Sequence, residues 1–210
     1  MLRGRLITIE GLEGAGKSTS IDTIATQLND HGVPFITTRE PGGTDLGENV
    51  RKILLAHADI PMHAMTELLL MFAARVEHVD KIITPAIEAG RWVICDRFTD
   101  SSYAYQGGGR GLALEDITTL ESILIPDIKP DYTLMLDVPV EEGLARAGRH
   151  SSLDRFEQEE VAFFERARQV FLKRSEAHDR FYVIDAAREV ASVQEDIAQW
   201  IVSVIRETST

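Results

Sequence analysis

The stretch L-I-T-I-E-G-L-E-G-A-G-K-S, Leu6 to Ser18, decides the fold of this chain. Leu6 to Ile9 is a short apolar run with a strand-like composition. Gly11 to Ser18 then fits the phosphate-loop template G-x-x-x-x-G-K-S/T, and an amphipathic pattern follows at once. The alternative is a glycine-rich turn that carries Lys-Ser by chance, and the strand before it and the helical pattern after it argue against that. The glycines let successive backbone N–H groups point at the β- and γ-phosphates, and the helix N-terminus adds partial positive charge. Lys17 would neutralise phosphate charge, and Ser18 would offer its hydroxyl oxygen to a magnesium ion. The pattern implies a bound nucleoside triphosphate, with Gly11, Leu12, Glu13, Gly14, Ala15, Gly16, Lys17, Ser18 and Thr19 as its wall.

Working outward, Lys17 to about Asn29 reads as a helix with Ile21, Ile24, Ala25 and Leu28 on one face, ended by Gly32. Pro34 to Thr38 is a second strand, Arg39 to Thr44 a turn-rich stretch, and Leu46 to Ala56 a helix. Met65 to Glu88 is a long helical stretch that Pro85 kinks or ends. Trp92 to Cys95, Tyr132 to Leu136 and Phe181 to Ile184 are further strands between helical patterns. Such alternation predicts an α/β fold, a five-stranded parallel sheet flanked by helices, with ligands at the carboxyl ends of the strands. Glu10, Arg39, Glu40, Asp96, Arg97 and Asp137 all fall at such ends. No repeat, low-complexity tract or linker interrupts the chain, and 1–210 is read as a single domain.

Composition narrows the class. The chain is 44% hydrophobic and 27% charged, ordinary for a globular protein, and no apolar run approaches the roughly 20 residues that span a membrane. The first residues run straight into a strand instead of a secretory leader, so the cytoplasm is the expected location. A net charge of −12 opposes binding to nucleic acid or anionic lipid. The single cysteine, Cys95, excludes an internal disulfide, and its apolar neighbours point to packing. The six histidines lack metal-ligand spacing, and most are expected at the surface.

Asp96-Arg97-Phe98 closes an apolar strand. It is either a surface ion pair or, beside a phosphate loop, a magnesium-shell carboxylate followed by a phosphate-clamping guanidinium. Further motifs stand in order: T-R-E-P-G-G-T (Thr38 to Thr44), L-G-E-N-V-R (Leu46 to Arg51), M-F-A-A-R (Met71 to Arg75), S-S-Y-A-Y-Q-G-G-G-R-G (Ser101 to Gly111) and L-D-R-F-E (Leu153 to Glu157). Together with the phosphate loop, they make the chain resemble the thymidylate kinases nearly end to end.

That resemblance implies the phosphoryl transfer ATP + dTMP giving ADP + dTDP, with Mg2+, in a homodimer of the nucleoside monophosphate kinase fold. It implies that Arg97 and Arg51 hold the acceptor phosphate, Phe72 stacks on the thymine and Arg75 donates to its O4. It also implies that Ser102 addresses the N3 edge, Tyr105 lies beneath the sugar, Gln106 lies near its 3′ side, and Glu10 and Glu40 border the pocket. A donor at Arg75 would reject cytosine, which presents an amino group there. From spacing alone, Phe72 and Arg75 are equally a core aromatic and a solvated arginine. The plain alternatives elsewhere are a turn carboxylate for Glu40, a helix cap for Ser101 to Tyr103 and a flexible turn for Gly107 to Gly109.

The phosphate loop carries no basic residue between Leu12 and Ala15, so the resemblance is to the lid-arginine type. The lid is placed at 141–155, with Arg149 and then Arg146 favoured to reach the transferred phosphoryl, and Arg155 beyond them. The plain alternative is three solvated arginines. By the same resemblance, the loop Asp185 to Arg188 contacts adenine. Two rivals remain at this level: a kinase for another nucleotide or nucleoside on the same scaffold, and a P-loop ATPase that signals through a partner. The absence of N-K-x-D and D-x-x-G strings disfavours a GTPase switch.

Overall fold

The computed structural model describes residues 3–56, 62–148, 155–156 and 159–208. Strand β1 (Leu6–Gly11) leads through the phosphate loop into α1 (Lys17–Asp30), followed by β2 (Phe35–Arg39), α2 (Asp45–Leu55) and α3 (Ala64–His78). A π-helical turn over Val79–Ile83 joins α3 to α4 (Thr84–Glu88), and β3 (Trp92–Asp96) follows. Then come α5 (Thr99–Ser102), a second π-helical turn over Tyr103–Gly109, α6 (Leu114–Leu124) and β4 (Tyr132–Asp137). The described chain closes with α7 (Val140–Ala147), α8 (Val161–Ala177), β5 (Phe181–Asp185) and α9 (Val190–Thr208).

The five strands form one parallel sheet in the order β2-β3-β1-β4-β5, as the alternation predicts. Side chains alternate across it. Ile7, Ile9, Ile94, Leu134 and Leu136 pack on one face with Ile24 and Leu28 of α1 and Ile197 and Ile201 of α9. Leu6, Val93 and Cys95 face the other way, onto Val79, Ile83, Ile87 and Phe98. Near β4 that second face is covered by Phe164 and Phe171 of α8, which pack with Met135. Each fully buried aliphatic side chain contributes about 1.5–3 kcal/mol, so this double-faced core fixes the sheet.

Two sequence expectations change in form. The long helix does not stop at Pro85: it passes through the π-helical turn, and Pro85 sits in the first turn of α4 directly after it. Gly107 to Gly109, for which a flexible turn was one reading, are helical and form the surface on which α8 packs. Among the described residues, no helix is long and apolar enough to cross a membrane.

Candidate active site

With β1 at its centre, the sheet opens its carboxyl edge to a cavity of about 810 Å3. Its floor is the phosphate loop. Glycine is required at Gly14, whose backbone is left-handed (φ 71°) and where a Cβ would lie 2.0 Å from the carbonyl oxygen of Gly143, so that α7 rests directly on the loop. Lys17 donates to the carbonyls of Gly11 (3.2 Å) and Leu12 (2.8 Å). Withdrawal from water, aided by the Arg97 cation, lowers its pKa to about 8 against the pull of Asp96, Glu13 and Glu10.

Arg97 follows β3 in the left-handed region (φ 66°), the one described non-glycine residue there. Its backbone N–H donates to Ile9, and its guanidinium donates to the Gly11 carbonyl (3.0 Å), Ser101 Oγ (3.2 Å) and Glu13 Oε1 (2.8 Å). Burial works against this cation, but Tyr105, Glu13 and Asp96 outweigh it and raise its pKa. Tyr105, whose ring lies 5.0 Å from the guanidinium carbon, donates its hydroxyl to Glu13. Glu10 accepts from the Phe98 N–H (2.8 Å) and Ser101 Oγ (2.6 Å), and burial together with the Asp100 carboxylate pushes its pKa up to about 7.

A second buried group stands opposite. Arg75, 2% exposed, donates from Nε to Glu40 Oε2 (2.6 Å), from one terminal nitrogen to Ser102 Oγ (3.0 Å) and from the other to the Phe98 carbonyl (3.0 Å). Glu40 is thus the ionic partner of a buried arginine as well as a turn residue, and Arg75 is not a solvated one. Arg51 donates to the Pro41 carbonyl, and Gln106 donates its amide to the buried Glu67. Lys17, Ser18, Arg51, Arg75, Asp96, Arg97, Ser102, Tyr105 and Gln106 line the one cavity.

Not every expected residue reaches it in this way. Phe72 is 1% exposed, packed with Leu68, Tyr103 and Ile117 behind Arg75, whose guanidinium carbon lies 4.8 Å from the ring centre. Arg146 lines the cavity but donates to the carbonyls of Ala186 and Ala187 and pairs with Glu142. Arg155 is fastened to Glu67 and the Leu54 carbonyl, and both oxygens of Asp137 accept from Arg168, one from Nε and one from a terminal nitrogen. Arg149 lies outside the described residues. Sequence reasoning missed Phe156, which lines the cavity edge-on to Tyr105, and the buried carboxylate Glu67, which gathers Gln106, Arg110 and Arg155. The L-D-R-F-E motif was the only signal for Phe156; an acidic residue on a helix gave none for Glu67.

Asp96 Oδ1 is buried with no hydrogen-bond partner among the described residues, while Ser18 faces the same cavity from the loop. An unpartnered buried carboxylate oxygen beside a phosphate loop fits a divalent cation or its bound water.

Comparison with known proteins places nearly the whole chain beside one family. The family model described as thymidylate kinase matches residues 9–197. The thymidylate kinase of Pseudomonas putida (strain GB-1) is 54% identical over 197 residues, covering 93% of this chain and 94% of that protein. That of Ectopseudomonas mendocina (strain ymp) is 51% identical over 205 residues, covering 97% and 98%. The crystal structure of thymidylate kinase from Ehrlichia chaffeensis superposes with a TM-score of 0.74 at 32% identity, covering 97% of this chain and 99% of that one. A phosphate loop beneath one cavity walled by Arg51, Arg75 and Arg97, together with these matches along nearly the whole length, shows that the chain belongs to the thymidylate kinase family.

Proposed function

We propose that ATP and dTMP meet end to end in this cavity, ATP over the phosphate loop and dTMP between Arg51, Arg75 and Arg97. The enzyme is a nucleoside monophosphate kinase, and its reaction is ATP + dTMP giving ADP + dTDP. The observation that carries the placement of the nucleotides is that Lys17 and those three arginines line the same cavity.

A monophosphate ester has a second pKa of about 6, so the attacking oxygen is largely anionic at neutral pH and needs no general base. Catalysis then rests on alignment and charge neutralisation. Arg97 and Arg51 are assigned to the acceptor phosphate and Lys17 to the donor phosphates. Asp96 and Ser18 are assigned to Mg2+, which when bound neutralises charge on the phosphoryl oxygens. Arg75 and Ser102 face the base edge; Tyr105 lies under the sugar, and Gln106 on its 3′ side. For Phe72 to stack on the thymine, its ring must be uncovered as the nucleotide enters. Because Arg146 is committed to the loop after β5, Arg149 remains the arginine assigned to the transferred phosphoryl, in a lid at 141–155 of a single domain. The loop carrying Ala187 and Arg188 lines the ATP side. Exposed Leu46, Ile53 and Leu69 on α2 and α3 support a homodimer, and a cytoplasmic setting belongs to the same reading.

Purified protein with Mg2+ and ATP is expected to convert dTMP to dTDP, read by chromatography. Equal ADP release without any monophosphate, or phosphorylation of another nucleotide while dTMP is left untouched, would overturn the assignment.

A further inference from the structure

His78, expected among mostly surface histidines, is fully buried on α3, three residues beyond Arg75. Its Nδ1 lies 2.9 Å from Glu40 Oε1 and its Nε2 lies 2.6 Å from Thr38 Oγ1. An ionised carboxylate only accepts, so Nδ1 carries the hydrogen that Glu40 receives, and the threonine hydroxyl completes the pairing at Nε2. The second Glu40 oxygen receives Arg75 Nε, and Arg75 continues to Ser102 and the Phe98 carbonyl. The hydrogen-bonded chain therefore runs Thr38, His78, Glu40, Arg75, Ser102. Its last three members line the nucleotide cavity, whereas His78 does not.

A carboxylate with one oxygen paired can still turn about its terminal bond and let the guanidinium tilt with it. His78 removes that freedom by holding the other oxygen from the same helix, α3, about one turn beyond Arg75. Arginine has five N–H donors, and the protein accepts from three nitrogens of Arg75, so the plane in which the guanidinium is held decides where the remaining N–H groups point. We infer that His78 is a positioning residue for base selection: by fixing Glu40 it fixes Arg75 in the orientation that donates to the 4-carbonyl of thymine and refuses the 4-amino group of cytosine. This rests on the proposed placement of Arg75 at the base edge.

The test compares kcat/KM for dTMP and dCMP in wild type, Arg75→Lys and three His78 variants. His78→Phe keeps the bulk and loses both bonds; it is expected to lower the dTMP:dCMP ratio about tenfold or more and raise KM for dTMP, with KM for ATP unchanged. His78→Asn keeps a donor at the Nδ1 position and should hold the ratio within about threefold of wild type, whereas His78→Gln, whose amide reaches the Nε2 position instead, should resemble the Phe variant. A role confined to packing would lower the melting temperature and act on both nucleotides alike. A selective wild type with undiminished selectivity in the Phe and Gln variants overturns the inference. Selectivity retained in Arg75→Lys removes the placement of Arg75, and the inference falls with it even though dTMP turnover stands. Where His78→Phe does not fold, equal ratios in the Asn and Gln variants overturn the inference on their own.

Discussion

At the residue scale the site is a balance of buried charges. The carboxylates of Glu13, Glu10 and Asp96 act on two buried cations, raising the pKa of Arg97 and opposing, without cancelling, the loss of charge on Lys17. Lys17 is the weak member, because burial and Arg97 bring its pKa down to about 8. Below that pH the lysine is cationic and binds phosphate; above it, the charge is lost and ATP binding weakens. A bound triphosphate favours the cation, so ATP binding near pH 8 should take up protons. Titration calorimetry in two buffers of different ionisation enthalpy measures this directly, and a binding heat independent of buffer would contradict the assignment. The phosphate-loop residues were legible in the sequence because their spacing is local and their chemistry specific. Glu40 and His78 were not, since nothing in T-R-E-P-G-G-T says that its carboxylate faces a histidine 38 residues further on.

At the element scale, close approach replaces flexibility. The π-helical turn over Tyr103–Gly109 carries Tyr105 and Gln106 into the cavity while α8 presses on its far side. A Cβ at Gly108 would lie 2.7 Å from the Arg166 carbonyl oxygen and 2.8 Å from Val170 Cγ2. Arg166 also donates to the carbonyls of Gly108 and Gly109, satisfying acceptors at the end of the turn. Gly108→Ala should therefore overpack this contact at a cost of about 1–3 kcal/mol, lowering the melting temperature by several degrees. Because the turn bears Tyr105 and Gln106, KM for dTMP should rise while KM for ATP stays level; thermal unfolding with steady-state kinetics checks both. In the sequence, three consecutive glycines suit a loop as well as a close contact, and only the presence of α8 separates the two.

At the scale of the whole molecule, the parallel sheet gathers separate segments at one edge, and several apolar side chains on α2, α3 and α6 are left outside, among them Ile53, Leu69 and Ile123. The proposed homodimer would cover Leu46, Ile53 and Leu69, and light scattering should return about twice the chain mass of 23.4 kDa. Leu69→Arg, at a position half exposed in the single chain, should shift the mass towards one chain without unfolding it. A wild-type mass of one chain would remove the dimer. By itself the sequence determined the phosphate loop, the five strands, the class of sheet and the kinase family, because these depend on local periodicity and on motifs that act within a few residues. Only the tertiary structure decided that Phe72 lies behind Arg75, that Arg155 fastens to Glu67, and that His78 reaches Arg75 through Glu40. Periodicity marks which side chains leave water, but which of them meet depends on how distant elements pack.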